Sequence, residues 1–265
     1  MTARSFALPA TLLLLAPLAA APLRAQRVEY SAGTMRYRLS TLTKGSQTSP
    51  MGNQDFSVDA KQLLTVNLVR PAKDTVVATV TLDSLDIASS QGKQDLSRLL
   101  GTKFVTYLSP TGKLYSSKAP DGADPVLTQV TESVSRFLPS YRSNLRSGMT
   151  WADTVSDKVN QQGMELNRTV VSDYKVLGDT TVSGEKAYKV SRVSKVKAAG
   201  SGTTQGQPIA VESATTSDAV FFLSPKGLYL GGRQNDDIDV KVTILAQGAE
   251  INVKQKATST IEALH

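Results

Sequence analysis

The chain contains no cysteine, and its one histidine is the last residue, His265. Lack of a thiol excludes disulfide staples, thiolate metal sites, cysteine nucleophiles and an acylated lipoprotein anchor. With the lone imidazole on a chain end, neither a Ser-His-Asp triad nor a histidine-based metal centre has a ligand or base inside the fold. Aromatic residues are scarce, 6% with a single Trp, so a surface of stacked rings for sugars or nucleobases starts with little material. Phosphate loops are missing too: Gly200-Ser201-Gly202 is followed by Thr-Thr-Gln-Gly, which has neither the Walker nor the Rossmann spacing. The basic excess, +7 over 265 residues, is spread without a block of like charges. A solvated surface with at most a weak attraction to anionic lipid head groups is expected, and no nucleic-acid partner.

What is present begins with an address. Arg4 supplies a positive start, and Phe6 to Ala21 is an almost unbroken apolar run, too short and too interrupted by proline for a comfortable membrane span. It reads as a Sec-type signal peptide over residues 1–25. Cleavage is expected after Ala25, because cutting after Ala21 would leave Pro22 beside the scissile bond. Losing Arg4 and Arg24 lowers the net charge from +7 to +5. The product, residues 26–265, reads as a single β-rich domain, periplasmic or secreted from a bacterium.

Its dominant period is two. Met35, Tyr37 and Leu39 alternate with Arg36, Arg38 and Ser40, and Phe56, Val58, Ala60, Leu64, Val66 and Leu68 share one parity. The same alternation returns around Met164 to Val176 and Val240 to Ile244. One dry face per strand argues for antiparallel pairing. Turn residues separate the runs, as in Ser109-Pro110-Thr111-Gly112, Val182-Ser183-Gly184-Glu185 and Ser224-Pro225-Lys226-Gly227. The two Ser-Pro-x-Gly turns echo one another; turn chemistry used twice is favoured over an ancient duplication.

One segment breaks this rhythm. After Asp124-Pro125, residues Val126, Leu127, Val130, Val134, Phe137 and Leu138 fall at spacings of three and four until Pro139, which predicts an amphipathic helix near 125–138. A shorter helical turn is expected over Asp95 to Leu100, closed by Gly101, and Ala199 to Pro208 reads as a flexible loop.

Each candidate chemical site has a plainer explanation. Asn235, Asp237 and Asp239 alternate like the first ligands of a calcium loop, but Val240 and Ala246 stand where such a loop needs Gly and Glu, so no metal is expected. Ser-x-x-Lys occurs four times, at Ser90, Ser172, Ser183 and Ser194, with no element to desolvate the lysine. Asp83 and Asp86 are the best carboxylate pair, yet opposite parity should send them to opposite faces. Asn167-Arg168-Thr169 matches a glycosylation sequon that means little in a bacterium. Trp151 reads as a core or rim residue. No catalytic residue, metal or cofactor is assigned.

Leader, alternating strands, mid-chain helix, the Gly148-Met149-Thr150-Trp151 entry and the late Ser-Pro-x-Gly hairpin together resemble a group of exported bacterial proteins without an assigned activity. More distantly, the layout is similar to the lipoprotein-carrier and mycobacterial lipoprotein superfamily, which the resemblance implies would be a half-barrel around helices. Val28 to Thr43 reads as a strand, where the best-known carriers begin with a helix.

The expected fold is mainly β: a strongly curved antiparallel sheet of about eleven strands, a half-barrel, with the helix on its concave side. Eleven strands at about 4.8 Å make a sheet about 50 Å wide, and one helix about 10–12 Å across cannot cover it flat. A closed barrel, including one in the outer membrane, competes with this reading. The incompletely filled concavity suggests a monomeric, non-enzymatic binding protein for a lipid, lipidated protein or other hydrophobic molecule. Val130, Val134, Phe137, Leu138, Phe56 and Tyr174 are the expected cavity lining. The alternatives are an envelope assembly protein that docks a partner by strand addition, and a hydrolase using carboxylates alone.

Overall fold

The computed structural model describes residues 27–90, 92, 96–118, 120, 130–131, 134–161, 164–204 and 206–264. The leader and its cleavage point after Ala25 lie outside them. Eleven strands account for most of the rest: β1 (Gly33–Ser49), β2 (Gly52–Ala72), β3 (Thr75–Ser89), β4 (Lys103–Leu108), β5 (Leu114–Lys118), β6 (Thr150–Gln161), β7 (Met164–Val182), β8 (Glu185–Thr204), β9 (Gln207–Leu223), β10 (Tyr229–Ile244) and β11 (Ala249–Leu264). All pairings are antiparallel, in one sheet of order β5-β4-β3-β2-β1-β11-β10-β9-β8-β7-β6. The sheet is open. Its edges, β5 and β6, do not pair with each other, and the pairing of β1 with β11 joins the two ends of the chain at its middle.

Hydrogen bonds at one end of the sheet show that it curves strongly. The amide of Tyr30 donates to Pro110 O (2.8 Å) in the β4–β5 turn, and that of Ser31 to Gly227 O (3.1 Å) in the β9–β10 turn. In a flat sheet β4 and β10, five places apart, would be separated by about 24 Å. Two consecutive residues, about 3.8 Å apart at Cα, bridge them here. Likewise Tyr141 donates to Thr111 O and Gly148 to Val176 O, so seven residues connect the β4 turn to β7. Those seven reach about 25 Å, whereas a flat sheet would require about 38 Å.

The concave face of this end is filled. Val28 and Tyr30, before β1, are fully buried, and Val134, Phe137, Leu138, Tyr141 and Leu145 pack with them against Tyr37, Leu64, Val66, Val76, Val80, Phe104, Val176, Val190 and Leu223. The two Ser-Pro-x-Gly turns grip the N-terminal segment with matching bonds. Ser109 and Ser224 each accept from two backbone amides of their own turn, and each receives the amide of the glycine three residues on at its carbonyl.

Four expectations need correction. The amphipathic helix over 125–138 is not an element of the structure. Part of it, 125–129 and 132–133, lies outside the described residues; the others have helical backbone only at Val130, Thr131, Val134 and Ser135. Phe137 closes onto Val134 O in a tightened turn, and Pro139 disfavours helical backbone at Leu138. The β-branched and serine-rich run has weak helix propensity, and Thr131 and Ser135 are buried along with Val134, so burial wraps around the segment instead of following a stripe. The loop expected over Ala199–Pro208 is the end of the β8–β9 hairpin, strand as far as Thr204 and again from Gln207. Gly200 permits this because a Cβ there would overlap the Glu165 carbonyl. The first strand begins at Gly33, with Val28 to Ser31 a buried non-strand segment. Asp83 is the extra residue of a β-bulge between Leu82 and Ser84, so Asp83 and Asp86 are both exposed instead of on opposite faces. The short turn fares better: a 3-10 helix covers Ser97–Leu99, and Gly101 follows at φ +74°.

Candidate functional site

The long strands β7 to β11, with β1 and β2, run on past the filled end, and their inner face there has a definite cross-strand pattern. Nearest the filled end is an apolar row: Val176, Val190, Phe221 and Ile261. Next comes Tyr174–Arg192–Ala219–Gln234–Ser259–Thr41, then Asp153–Ser172–Ser194–Ser217–Asp236–Ala257. Beyond this polar band the face turns apolar again, with Val155, Val170, Val196 and Ile238 half-buried. Farther still, Leu166, Ile209 and Val211 form a small second cluster with Met164, Val240, Val242 and Ile244. Among the described elements these strands contact chiefly their ladder neighbours, and no layer covers them.

The polar band is hydrogen-bonded along its length. Arg192 Nη2 donates to Gln234 Oε1 (2.7 Å), and Gln234 Nε2 donates to both carboxylate oxygens of Asp236 (2.9 Å each). Ser217 also donates to Asp236, and Ser172 and Ser194 share a bond of 2.8 Å. All three serines are buried. Arg192 Nε is buried with no hydrogen-bond partner. Burial raises the Tyr174 hydroxyl above its ordinary range, while the positive charge of Arg192 and hydrogen bonds with Ser172 and Arg192 act against that shift. Tyr229 is raised by burial and again opposed by the charge of Arg192.

A neighbouring arginine on this face is in a different state. Asp157 accepts two bonds from Arg168 (2.9 and 2.6 Å) and one from Arg136 (3.3 Å). The bond from Arg168 leads the causes holding the Asp157 carboxyl below the usual carboxylate range, and burial opposes it. Here both charges are satisfied within the chain.

Two cavities adjoin the sheet. One of about 480 Å³ lies at the filled end, lined by Met35, Tyr37, Val66, Leu68, Leu228 and Tyr229, with the Glu185 carboxylate at its wall. That volume is within the range of about 300–1,000 Å³ usual for ligand pockets. The other, about 540 Å³, lies on the outer face among Lys197, Glu212, Asp239, Lys241 and Lys254. With side chains of both signs it is a hydrated groove.

The expected lining residues divide. Val134, Phe137, Leu138 and Tyr174 are buried in the core and Val130 packs against it. Phe137 makes edge-to-face contacts with Tyr37 (5.0 Å) and Tyr229 (5.8 Å). These residues belong to the filling more than to an open cavity. Phe56 is half-buried far along β2, near Gly45, apart from them. Trp151 stacks on Tyr174 at 4.7 Å and 5°. Ser172 and Ser194 face inward while Lys175 and Lys197, three residues on, face outward, so those Ser-x-x-Lys pairs do not meet. Asn235, Asp237 and Asp239 line the outer face of β10, with Thr258 donating to Asn235 and Lys256 paired to Asp237. Among the described residues no group of three or more potential metal ligands gathers. Sequence reasoning missed Arg192, Gln234 and Asp236. Their signal was available: each occupies the parity that its strand otherwise gives to Val190 and Val196, or Ile238 and Val240.

No family model and no curated protein matches the chain. Solved structures with some similarity include an outer-membrane channel from Pseudomonas putida F1, 7% identical over 89% of this chain and 97% of that one, TM-score 0.25. An AttH-type protein from Nitrosomonas europaea is 10% identical over 83% and 92%, TM-score 0.20. An outer-membrane lipoprotein-sorting protein domain from Vibrio parahaemolyticus is 10% identical over 83% of each chain, TM-score 0.15. At these scores the backbones superpose poorly, and the fold stands on the chain's own ladder register. Among the described residues no helix is long and apolar enough to cross a membrane.

Proposed function

We propose that the chain is a non-enzymatic binding protein for a hydrophobic or amphiphilic molecule of the bacterial envelope, a lipid or the acyl chain of a lipidated protein, acting as an exported monomer after cleavage behind Ala25. The observation that carries this reading is the half-filled concavity. Residues 27–31, 130–131 and 134–145 fill one end of the curved sheet, while Val155, Val170, Val196 and Ile238 line an apolar trough that no described element covers. Water against such a surface is unfavourable by about 25 cal/mol per Å², so an alkyl chain laid along it gains what the protein has left exposed. The outer face carries Lys189, Lys195, Lys197, Asp218, Asp237 and Lys254, a surface suited to water and unsuited to lipid tails. Titration with a fluorescent fatty-acid analogue tests the reading: saturable binding that Val196→Asp weakens supports it, and absence of binding overturns it.

A second reading rests on β6. Among the described residues this twelve-residue strand pairs only with β7, leaving one row of backbone donors and acceptors for an added strand of an envelope partner. Backbone amides of β6 that gain exchange protection only in the presence of other envelope proteins would favour it.

A further inference from the structure

We propose that Arg192 is the head-group site of the trough, taking a singly charged anionic head group, carboxylate or phosphodiester, of an amphiphile whose chain lies along Val170, Val196 and Ile238. This rests on the amphiphile-binding reading above and adds the charge and placement of the head group. Among the described residues Arg192 has no carboxylate within ion-pair distance, whereas Arg168 on the adjacent strand has Asp157, and Arg27, Arg36, Arg38 and Arg70 each have an acidic partner. Its hydrogen-bonded neighbours are neutral, the amide oxygen of Gln234 at Nη2 and the Tyr174 hydroxyl, and the Gln234 amide stands between the guanidinium and Asp236.

A half-buried cation so placed retains an unmet demand for negative charge, and its Nε is in addition a buried donor without an acceptor. Native proteins leave few such donors, and each calls for a partner. Ala219 beside Arg192, and Ser172, Ser194 and Ser217 in the next row, are small side chains, so none of them reaches across the guanidinium's own row. The polar band also lies at the boundary between the filled end and the uncovered apolar rows, which is where an amphiphile changes from head to chain. Two carboxylates face the same band, Asp153 and Asp236, and they limit the charge the site accepts. A monoanion therefore fits better than a phosphate dianion.

The test compares laurate and lauroyl lysophosphatidylglycerol, both monoanions, with uncharged monolaurin, by calorimetry on the mature chain. Charge-assisted hydrogen bonds should make at least one anion bind about tenfold or more tighter than monolaurin. The tighter of the two anions identifies the head group as carboxylate or phosphodiester. Arg192→Met should abolish the preference and leave monolaurin affinity unchanged, and Arg192→Lys should retain part of it. Because Arg192→Met also removes a hydrogen bond of the polar band, the Arg192 Nε–H resonance of the unmodified protein is followed as well; it should shift saturably with the preferred anion and stay in place with monolaurin. Equal affinity for all three ligands, or a preference that survives in folded Arg192→Met, overturns the head-group site and leaves hydrophobic binding intact. If none of the three binds, the amphiphile-binding reading fails, and this site with it.

Discussion

Phe137 illustrates how one side chain can belong to a core while sequence spacing suggests a cavity wall. It is 9% exposed, its ring meets Tyr37 and Tyr229 edge-on, and the tyrosine partners are themselves tied down, Tyr37 Oη donating to Tyr229 O at 2.9 Å. The cavity of about 480 Å³ lies on the other side of Tyr37 and Tyr229 and does not include Phe137 in its lining. Phe137→Ala should therefore incur the full penalty of an aromatic deletion, about 3–5 kcal/mol, measured by urea unfolding. Where the variant remains folded, its affinity for a fatty-acid probe should equal that of the unaltered protein, since the trough is on the far side of the polar band. A loss near 1 kcal/mol together with altered binding would put Phe137 in the ligand cavity.

At the scale of elements, the two Ser-Pro-x-Gly turns and the segment they hold give the sharpest contrast between equivalent residues. Gly227 has φ +80° and Gly206 φ +78°, so alanine meets about the same backbone penalty at both, about 1–2 kcal/mol. A Cβ on Gly206 meets nothing within 4 Å, while one on Gly227 would overlap the Glu29 carbonyl that the turn grips. Gly206→Ala should cost only the backbone term; Gly227→Ala should cost several times as much and release Val28 and Tyr30, read as loss of exchange protection at their amides. Equal destabilisation would mean that the N-terminal segment contributes little. The turns were legible in the sequence, and so were the strands, because alternation over as many residues as Phe56 to Leu68 admits no helical alternative. The grip on residues 29–31 was not, since no local pattern records which distant turn a segment will meet. Composition misled at Ala199–Pro208, where Gly, Ser and Thr suit a loop but also suit a crowded ladder in which Gly200 passes the Glu165 carbonyl. Periodicity misled at 125–138, where spacing was helical and propensity was not. The polar band was legible in principle: Ser172, Arg192 and Gln234 interrupt the dry parity of their own strands, though only the ladder register shows that the interruptions align.

For the molecule as a whole, curvature gathers buried tyrosines from distant parts of the chain: Tyr30 before β1, Tyr37 on β1, Tyr141 between β5 and β6, Tyr174 on β7 and Tyr229 on β10. Tyr30 and Tyr141 meet edge-on at 5.2 Å, and Tyr30 Oη donates to Pro139 O at 2.8 Å. Burial leads the causes that raise each of the five hydroxyls above the ordinary value of 10.0. The folded chain therefore holds these five protons, and with them that of the buried Tyr188, which the unfolded chain releases once pH exceeds about 10. Their contribution to stability is whole below that pH and falls as pH rises towards the folded-state values. Each contributes a slope of about 1.4 kcal/mol per pH unit, so five together remove up to about 7 kcal/mol per unit. Against a total of about 5–15 kcal/mol, that is enough to unfold the domain within about one to two units above pH 10. The expected titration is flat circular dichroism to about pH 10, then a cooperative transition in which most of the tyrosinate absorbance at 295 nm appears together with the loss of β signal. A gradual rise in absorbance centred near pH 10 with the β signal intact would mean that water reaches these hydroxyls, and that the end of the sheet closed by residues 27–31, 130–131 and 134–145 is open like the other.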